Sequence, residues 1–330
     1  MGLPRTTAAG RSLGRRPVAR GLPRVGSAAH RHAAPCQGDR VCDRFDGVRV
    51  WARRAWPDQD WGRAEARHGA FHEVLLLPGG PVARVAEGLD QERRVARETL
   101  VMSLMANLDL PVPVPTPVSV PVTLAGRTGV LTSLVPGQPL HDAAWPDVCD
   151  QLMVLLGALQ QTRLRDLHRS LPKPREWCGG ASWPDIVHDR LISLLPTSAQ
   201  EEAARVVADL LVAEQGAEPG LVHGDFGLHN VMWSGSNVSG LIDFDHCCWG
   251  DPAMDIAPLV GAFHAGAVTG VVDADTVRRA MYHRATLSLQ VAAAAELAGK
   301  RALRDHALGN FAQRLAEGTL YDPGGELPAT

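Results

Sequence analysis

The sequence predicts an α+β protein with two lobes, a small β-rich lobe over residues 46–136 and a larger, mainly helical lobe over residues 137–330. Two observations predict the small lobe: a pair of β-rich runs flanks a Pro-Gly-Gly-Pro turn, and a single amphipathic helical stretch follows them. Helical patterns dominate the chain from residue 140 onward and predict the large lobe. The boundary falls at a Pro-Gly turn near residues 135–137.

The β-rich runs of the small lobe are FHEVLLL at residues 71–77 and VARVA at residues 82–86, which together predict a hairpin. Residues 90–108 predict its helix, because a stripe of residues recurs there at helical spacing. The stripe consists of Val95, Glu98, Met102 and Met105. The repeated prolines of residues 110–124 exclude a helix and allow edge strands, and residues 129–137 predict a further strand.

The large lobe is predicted to be helical, with one β segment at residues 221–244. Its predicted helices cover residues 146–168, 184–195, 199–215, 252–267 and 275–317.

Charge is unevenly distributed along the chain. Residues 1–45 hold nine Arg against two Asp, and we predict that they form a disordered extension outside the fold. Residues 141–330 hold fourteen Lys and Arg against twenty-four Asp and Glu. Such a surface repels nucleic acid and suits a cationic ligand, although an ordinary solvated acidic surface explains it equally well.

The composition indicates a cytoplasmic protein. The six cysteines include no CxxC pair, which is typical of reduced thiols. No apolar run reaches the ~20 residues that a membrane-spanning helix requires.

The stretch HGDFGLHN, residues 223–230, holds an aspartate, an asparagine and two histidines within eight residues. Asp225 and Asn230 lie at the two ends of a predicted loop, and Asp243 lies at the end of the returning strand, within VSGLIDFD. Two carboxylates and an amide oxygen are hard ligands that suit Mg²⁺, which also binds the phosphates of a nucleotide. This spacing is what phosphoryl transfer requires: one Asp accepts the proton of the attacking hydroxyl, while Asn and a second Asp hold Mg²⁺.

The segment LVHGDFGLHNVMW, followed by VSGLIDFDHCCWGDPAMDIAPL, resembles the signature of the aminoglycoside phosphotransferase superfamily. The resemblance is specific over about residues 221–260 and weaker over about residues 69–320. It implies a protein-kinase-like fold, ATP or GTP with Mg²⁺ as cofactors, and a small-molecule hydroxyl as acceptor.

By this resemblance Asp225 is the catalytic base, His223 braces the loop, and Asn230 and Asp243 are the Mg²⁺ ligands. Asp251 and Asp255 then order the loop and the helix after it, with a structural role such as helix capping preferred over a place in the substrate site.

The resemblance also predicts a nucleotide site in the small lobe. Arg84 is the candidate cation for the phosphates and Glu98 its partner, because a carboxylate in an apolar helix stripe is costly to bury alone. Gly69 lies in the loop that would cover the nucleotide. Ser133 and Val135 lie in the hinge whose backbone would bind adenine, although a plain connecting strand is an alternative there.

The branch that contains macrolide and viomycin-type phosphotransferases resembles this sequence most, which favours an antibiotic as the acceptor. Asp245, Asp251 and Glu296 are candidate contacts for its amines. A kinase for choline, homoserine or a sugar is the main alternative. A catalytically silent kinase-fold binding protein and a metal-dependent hydrolase that uses the same carboxylates also remain open.

Overall fold

The computed structural model describes residues 40–161 and 167–328. Most of the predicted extension, residues 1–39, lies outside the described residues, and so does the segment 162–166 within the predicted helix 146–168. The described residues from 43 onward form one compact unit.

The N-terminal part of this unit is a five-stranded antiparallel sheet with the strand order β1-β2-β3-β5-β4. Its strands are β1 (Glu65–His68), β2 (His72–Leu76), β3 (Val82–Ala86), β4 (Val122–Leu124) and β5 (Arg127–Thr132). The predicted hairpin is confirmed as β2 and β3, which pair from His72 with Ala86 to Leu76 with Val82. The prolines before β4 are accommodated because this strand forms the edge of the sheet.

Helices cover both faces of the sheet: α1 (Arg40–Ala55) and α2 (Gln91–Met105). Of these two helices, only α2 was predicted from the sequence, as residues 90–108. Along β3, Ala83 and Val85 pack in the cluster that contains Trp51 of α1, whereas Ala86 packs with α2. Because side chains alternate along a strand, Arg84 shares the face of Ala86 and points toward α2.

The C-terminal part is mainly helical, as predicted, with two small antiparallel sheets. Its helices are α3 (Trp145–Gln161), α4 (Trp183–Ile186), α5 (Thr197–Ala213), α6 (Ala253–Phe263), α7 (Ala265–Val268), α8 (Ala274–Leu297) and α9 (Arg301–Ala316). Its strands are β6 (Gln138–Pro139), β7 (Gly220–Val222), β8 (Val231–Ser234), β9 (Asn237–Leu241) and β10 (Cys248–Gly250). β7 pairs with β10, and the other sheet has the order β6-β8-β9.

Three of the predicted helices are interrupted. Residues 275–317 form α8 and α9, because Gly299 has a φ of 68° and ends α8 in a left-handed conformation. Residues 252–267 divide into α6 and α7 at His264, which has a φ of 70°. After α4 the chain continues as a π-helical turn and a 3-10 turn rather than as one regular helix. Among the described helices, none is both long enough and apolar enough to cross a membrane.

The packing of α1 predicts a large difference between two nearby valines. Val48 is fully buried against the sheet, whereas Val50 is 52% exposed. We expect Val48→Ala to lower the free energy of unfolding by roughly 2 kcal/mol through lost burial and a residual cavity. Val50→Ala is the matched control and should change it by less than about 0.5 kcal/mol. Urea unfolding measures both, and equal effects would contradict this packing of α1.

Candidate active site

The loop of residues 223–230 connects β7 to β8, and Asp255 of α6 fixes its beginning. The two carboxylate oxygens of Asp255 accept the backbone N–H groups of His223 at 2.8 Å and Gly224 at 2.7 Å. Gly224 has a φ of 85°, and a Cβ at this position would overlap the carbonyl oxygen of His246. Burial raises the pKa of Asp255 to about 7. Asp255 therefore contacts the loop backbone and supports it, in agreement with the structural role preferred for it.

The ring of His223 joins the loop to the end of β9. Its Nε2 lies 2.9 Å from the carbonyl oxygen of Ile242, and its Nδ1 lies 3.3 Å from the backbone nitrogen of Asp225. Burial lowers the pKa of His223, which favours the neutral ring. These partners define one tautomer, in which Nε2–H donates to Ile242 and Nδ1 accepts from Asp225. His223 thus links the loop of residues 223–230 to the segment that follows β9.

Asp225 lies among hydrogen-bond donors at the centre of the loop. Nδ2 of Asn230 lies 2.9 Å from both the backbone oxygen and Oδ2 of Asp225, and Nε2 of His229 lies 3.2 Å from Oδ2. Burial alone would raise the pKa of Asp225, but the hydrogen bond and charge of His229 lower it well below its usual value. Asp225 is consequently ionised and can accept a proton. The sequence analysis assigned no role to His229.

Asp243 follows β9 in a left-handed backbone conformation, with a φ of 67°. Its side chain is 41% exposed, and Oδ1 lies 3.3 Å from Nη2 of Arg84. Burial and the neighbouring charge of Asp245 raise its pKa, and Asp225 contributes in the same direction. A divalent cation would relieve this mutual repulsion of carboxylates. Since Nδ2 of Asn230 is used by Asp225, its Oδ1 is the amide atom suited to such a cation.

A chain of contacts replaces the predicted direct pair of Arg84 with Glu98. Nη2 of Arg84 lies 2.6 Å from Oδ2 of Asp245, and the same oxygen lies 3.5 Å from Nδ1 of His72. Nε2 of His72 then lies 2.9 Å from Oε2 of Glu98. Arg84 is directed instead toward Asp245 and Asp243, because both follow β9 within its reach. His72, at the start of β2, carries no motif signal and was not predicted as a site residue.

The pKa shifts of Arg84 and Glu98 agree with these contacts. Burial acts to lower the pKa of Arg84, but the charges of Asp245 and Asp243 raise it overall. Burial acts to raise the pKa of Glu98, but His72 lowers it overall. Ligand atoms of His72, Glu98 and Asp245 lie within 4.8 Å of one another, a spacing that a metal ion could use. The guanidinium of Arg84 beside Asp245 opposes a second cation there.

The predicted nucleotide-contacting segments lie beside the sheet. Gly69 forms the turn between β1 and β2, where its N–H donates to the carbonyl oxygen of His72 at 2.8 Å. Ser133 follows β5, and both its N–H and its Oγ are used by the backbone of Thr116, at 2.8 and 3.0 Å. Val135 is buried against Gly240, where a Cβ would overlap its side chain. The segment that follows β5 is therefore held in place by Thr116, which bonds Ser133, and by Gly240, against which Val135 packs.

Two solved structures share the overall fold. One is the complex of APH(2")-IIia with GDP and kanamycin, which matches with a TM-score of 0.65 at 18% identity over 82% of this chain and 99% of that chain. The other is the macrolide 2'-phosphotransferase MphH from Brachybacterium faecium, with a TM-score of 0.57 at 17% identity over 82% of this chain and 98% of that chain. The fold is therefore the kinase-like fold of these enzymes.

The chain belongs to the phosphotransferase enzyme family, whose profile matches residues 75–304. Viomycin phosphotransferase from Streptomyces vinaceus is 29% identical over 273 residues, which cover 74% of this chain and 91% of that protein. The protein is accordingly an enzyme of the kinase class, with an alcohol group as acceptor.

The contact between His72 and Glu98 predicts that the two side chains are coupled in their effect on the free energy of unfolding, which can be measured without an activity assay. His72→Leu should lower the free energy of unfolding by roughly 3 kcal/mol, because it leaves the buried carboxylate of Glu98 without its partner. His72→Leu combined with Glu98→Leu should cost less than the sum of the two single changes. Urea unfolding of the four proteins measures this coupling, and strictly additive effects would contradict the contact.

The raised pKa of Asp255 predicts a pH-dependent stability. The pKa of Asp255 is about 7 in the folded protein and about 4 in the unfolded chain. Its contribution is therefore complete below pH 4 and is lost as the pH rises through 7, with a slope of up to about 1.4 kcal/mol per pH unit. Asp255→Asn should remove this slope, while the exposed Asp189→Asn should retain it. Unfolding measured between pH 4 and 8 tests this, and parallel curves for both variants would contradict the assignment.

Proposed function

We propose that the protein transfers the γ-phosphoryl group of Mg-ATP or Mg-GTP to a hydroxyl of a small molecule, with Asp225 as the catalytic base. The observation that carries this proposal is the ionised Asp225, held by Asn230 and His229 within hydrogen-bond distance. Because these donors engage Oδ2, Oδ1 is the oxygen that would receive the proton of the acceptor hydroxyl. His223 would keep the loop in this position.

Asn230 and Asp243 would hold Mg²⁺, which neutralises charge on the nucleotide phosphates when bound. The chemistry of the donors supports this, since an amide oxygen and a partly exposed carboxylate with a raised pKa suit a hard cation. Arg84 would contribute positive charge toward the phosphates. Glu98 would support this site through the contacts of His72 and Asp245.

Residues 46–136 would form the nucleotide-binding lobe and residues 137–330 the catalytic and substrate-binding lobe. Gly69 would lie over the phosphates. In the hinge, the N–H of Ser133 is occupied by Thr116, so Val135 offers the backbone groups for adenine or guanine. The solved relative with bound GDP supports a nucleotide as the donor.

The viomycin phosphotransferase relative supports an antibiotic of the viomycin, aminoglycoside or macrolide type as the acceptor. A metabolic hydroxyl compound is the second candidate, and the cationic residues of the groove described below favour it. We place the enzyme in the cytoplasm, where nucleotides are available. The free thiols of Cys149, Cys178, Cys247 and Cys248 agree with this location.

Substitutions of the two aspartates should separate chemistry from nucleotide binding. Asp225→Asn should lower phosphoryl transfer by about 10³-fold while Mg-nucleotide binding changes little, because only proton acceptance is lost. Asp243→Asn should weaken Mg-nucleotide binding as well. Coupled nucleotide consumption measures transfer over a panel of antibiotics, choline and homoserine, and calorimetry measures binding.

The exposed Asp189→Asn is the matched control and should retain both properties. If Asp225→Asn kept most of the phosphoryl transfer, the assignment of the base would be wrong. If Asp243→Asn bound Mg-nucleotide as tightly as the unchanged protein, Asp243 would not be a metal ligand.

A further inference from the structure

A groove of about 940 Å³ lies between α2, residues 170–179 and the C-terminal end of α8. This volume falls in the range of small-molecule sites. Trp177 lines the groove, and its ring stacks on the ring of His246 at 3.9 Å. His246 in turn packs against Gly224, the residue before Asp225. Trp177 and His246 therefore lie between the groove and the candidate catalytic loop.

Cationic side chains outnumber acidic ones in the lining of this groove. The cations are Arg93, Arg94, Arg97 and Lys173, and the acids are Asp90 and Glu176. The guanidinium of Arg94 is already hydrogen-bonded within the protein, since it donates to the backbone oxygens of Phe71 and Glu87. In the part of the chain that the structure describes, neither a hydrogen bond nor an ion pair engages the side chains of the other three. Their charge is available to a ligand.

The three acids considered as amine contacts are already paired. Each has an arginine partner: Asp245 with Arg84, Asp251 with Arg279, and Glu296 with Arg304. These three carboxylates are therefore not free to bind the amines of a ligand. This observation opposes the expectation of a cationic ligand that the charge count suggested.

The wall that carries Lys173 and Trp177 is fixed in place. Arg175 binds Glu214 of the helical part with two hydrogen bonds, at 2.7 and 2.8 Å. The backbone N–H of Trp249 donates to the carbonyl oxygen of Pro172 at 3.2 Å. A wall held in this way is preorganised, so a ligand would not need to order it.

The rim of the groove is apolar. Leu89, Leu100 and Leu297 line it and are 64%, 48% and 40% exposed, so they can contact an apolar part of a ligand. Trp177 adds an aromatic surface between this rim and the candidate catalytic loop. The lining thus pairs apolar surface with unpaired guanidinium and ammonium groups.

We infer that this groove binds the acceptor, and that the acceptor is a hydroxyl compound with an apolar body and a carboxylate rather than a polycation. A guanidinium matches a carboxylate with two parallel hydrogen bonds, which makes Arg97 and Arg93 suitable partners. The inference rests on the proposed function for the identification of the ligand as the acceptor. It narrows the acceptor to an anionic hydroxyl compound, which favours the second candidate of the proposed function over aminoglycosides and viomycin-type peptides.

The test uses three compounds of one shape and different charge. N-octanoylserine carries one negative charge, its amide is neutral, and its 2-aminoethylamide carries one positive charge. We expect the anion to bind at least about tenfold more tightly than the amide, and the cation most weakly. Calorimetry on the full chain without nucleotide measures this order independently of catalysis. Equal affinities, or a preference for the cation, would overturn the inference.

Charge reversal in the groove provides the matched comparison. Arg93→Glu with Arg97→Glu should abolish the preference for the anion, whereas Arg63→Glu with Arg190→Glu makes the same charge change on exposed arginines elsewhere. The control pair should retain the order of affinities. Thermal unfolding confirms that each variant is folded, and Arg97→Gln gives a milder change if the reversed pair is not. If the groove variants kept the same order of affinities as the unchanged protein, the inference would be overturned.

Phosphoryl transfer to the anion distinguishes the two proposals. With Mg-ATP, the phosphate should appear on the serine hydroxyl of N-octanoylserine and be absent with Asp225→Asn. If the anion binds in the expected order but is never phosphorylated while Mg-ATP binds, its role as acceptor is wrong and the nucleotide site stands. If Mg-ATP and Mg-GTP do not bind, the proposed function itself fails.

Discussion

The balance of negative charge around the candidate site is the constraint on which the rest of the structure depends. Four carboxylates lie near one another there: Glu98, Asp225, Asp243 and Asp245. Arg84 forms an ion pair with Asp245, His72 contacts Glu98, and His229 contacts Asp225. Asp243 is the least compensated, and its raised pKa shows it. A bound divalent cation would complete this balance, which links metal binding to the stability of the site.

Backbone geometry brings these charged side chains close to one another. The alternation of side chains along β3 turns Arg84 toward α2, and the left-handed conformation of Asp243 turns its carboxylate back toward Arg84. Gly224 allows the loop to approach His246 closely. Asp255 then holds the backbone at His223 and Gly224. Each of these features involves the backbone, so the charges are positioned by rigid parts of the fold.

Local patterns allowed the sequence to predict the loop of residues 223–230, the β2–β3 hairpin and the position of Asp243, because neighbouring residues in the chain form them. Helix α1 was missed, since its apolar residues alternate with arginines in an Arg-rich segment. The chain of contacts through His72 could not be predicted, because it joins residues more than twenty positions apart. The contact of Asp251 with Arg279 could not be predicted for the same reason, since 28 positions separate the two residues.

The dependence of nucleotide binding on Mg²⁺ tests the central claim most directly. Calorimetry of ATP and GTP binding, with Mg²⁺ or with a chelator, measures the affinity in each condition. We expect Mg²⁺ to tighten binding at least about tenfold, because a divalent cation relieves the repulsion of Asp243 by Asp245 and Asp225. Equal affinity with and without Mg²⁺ would contradict a metal-centred charge balance at this site.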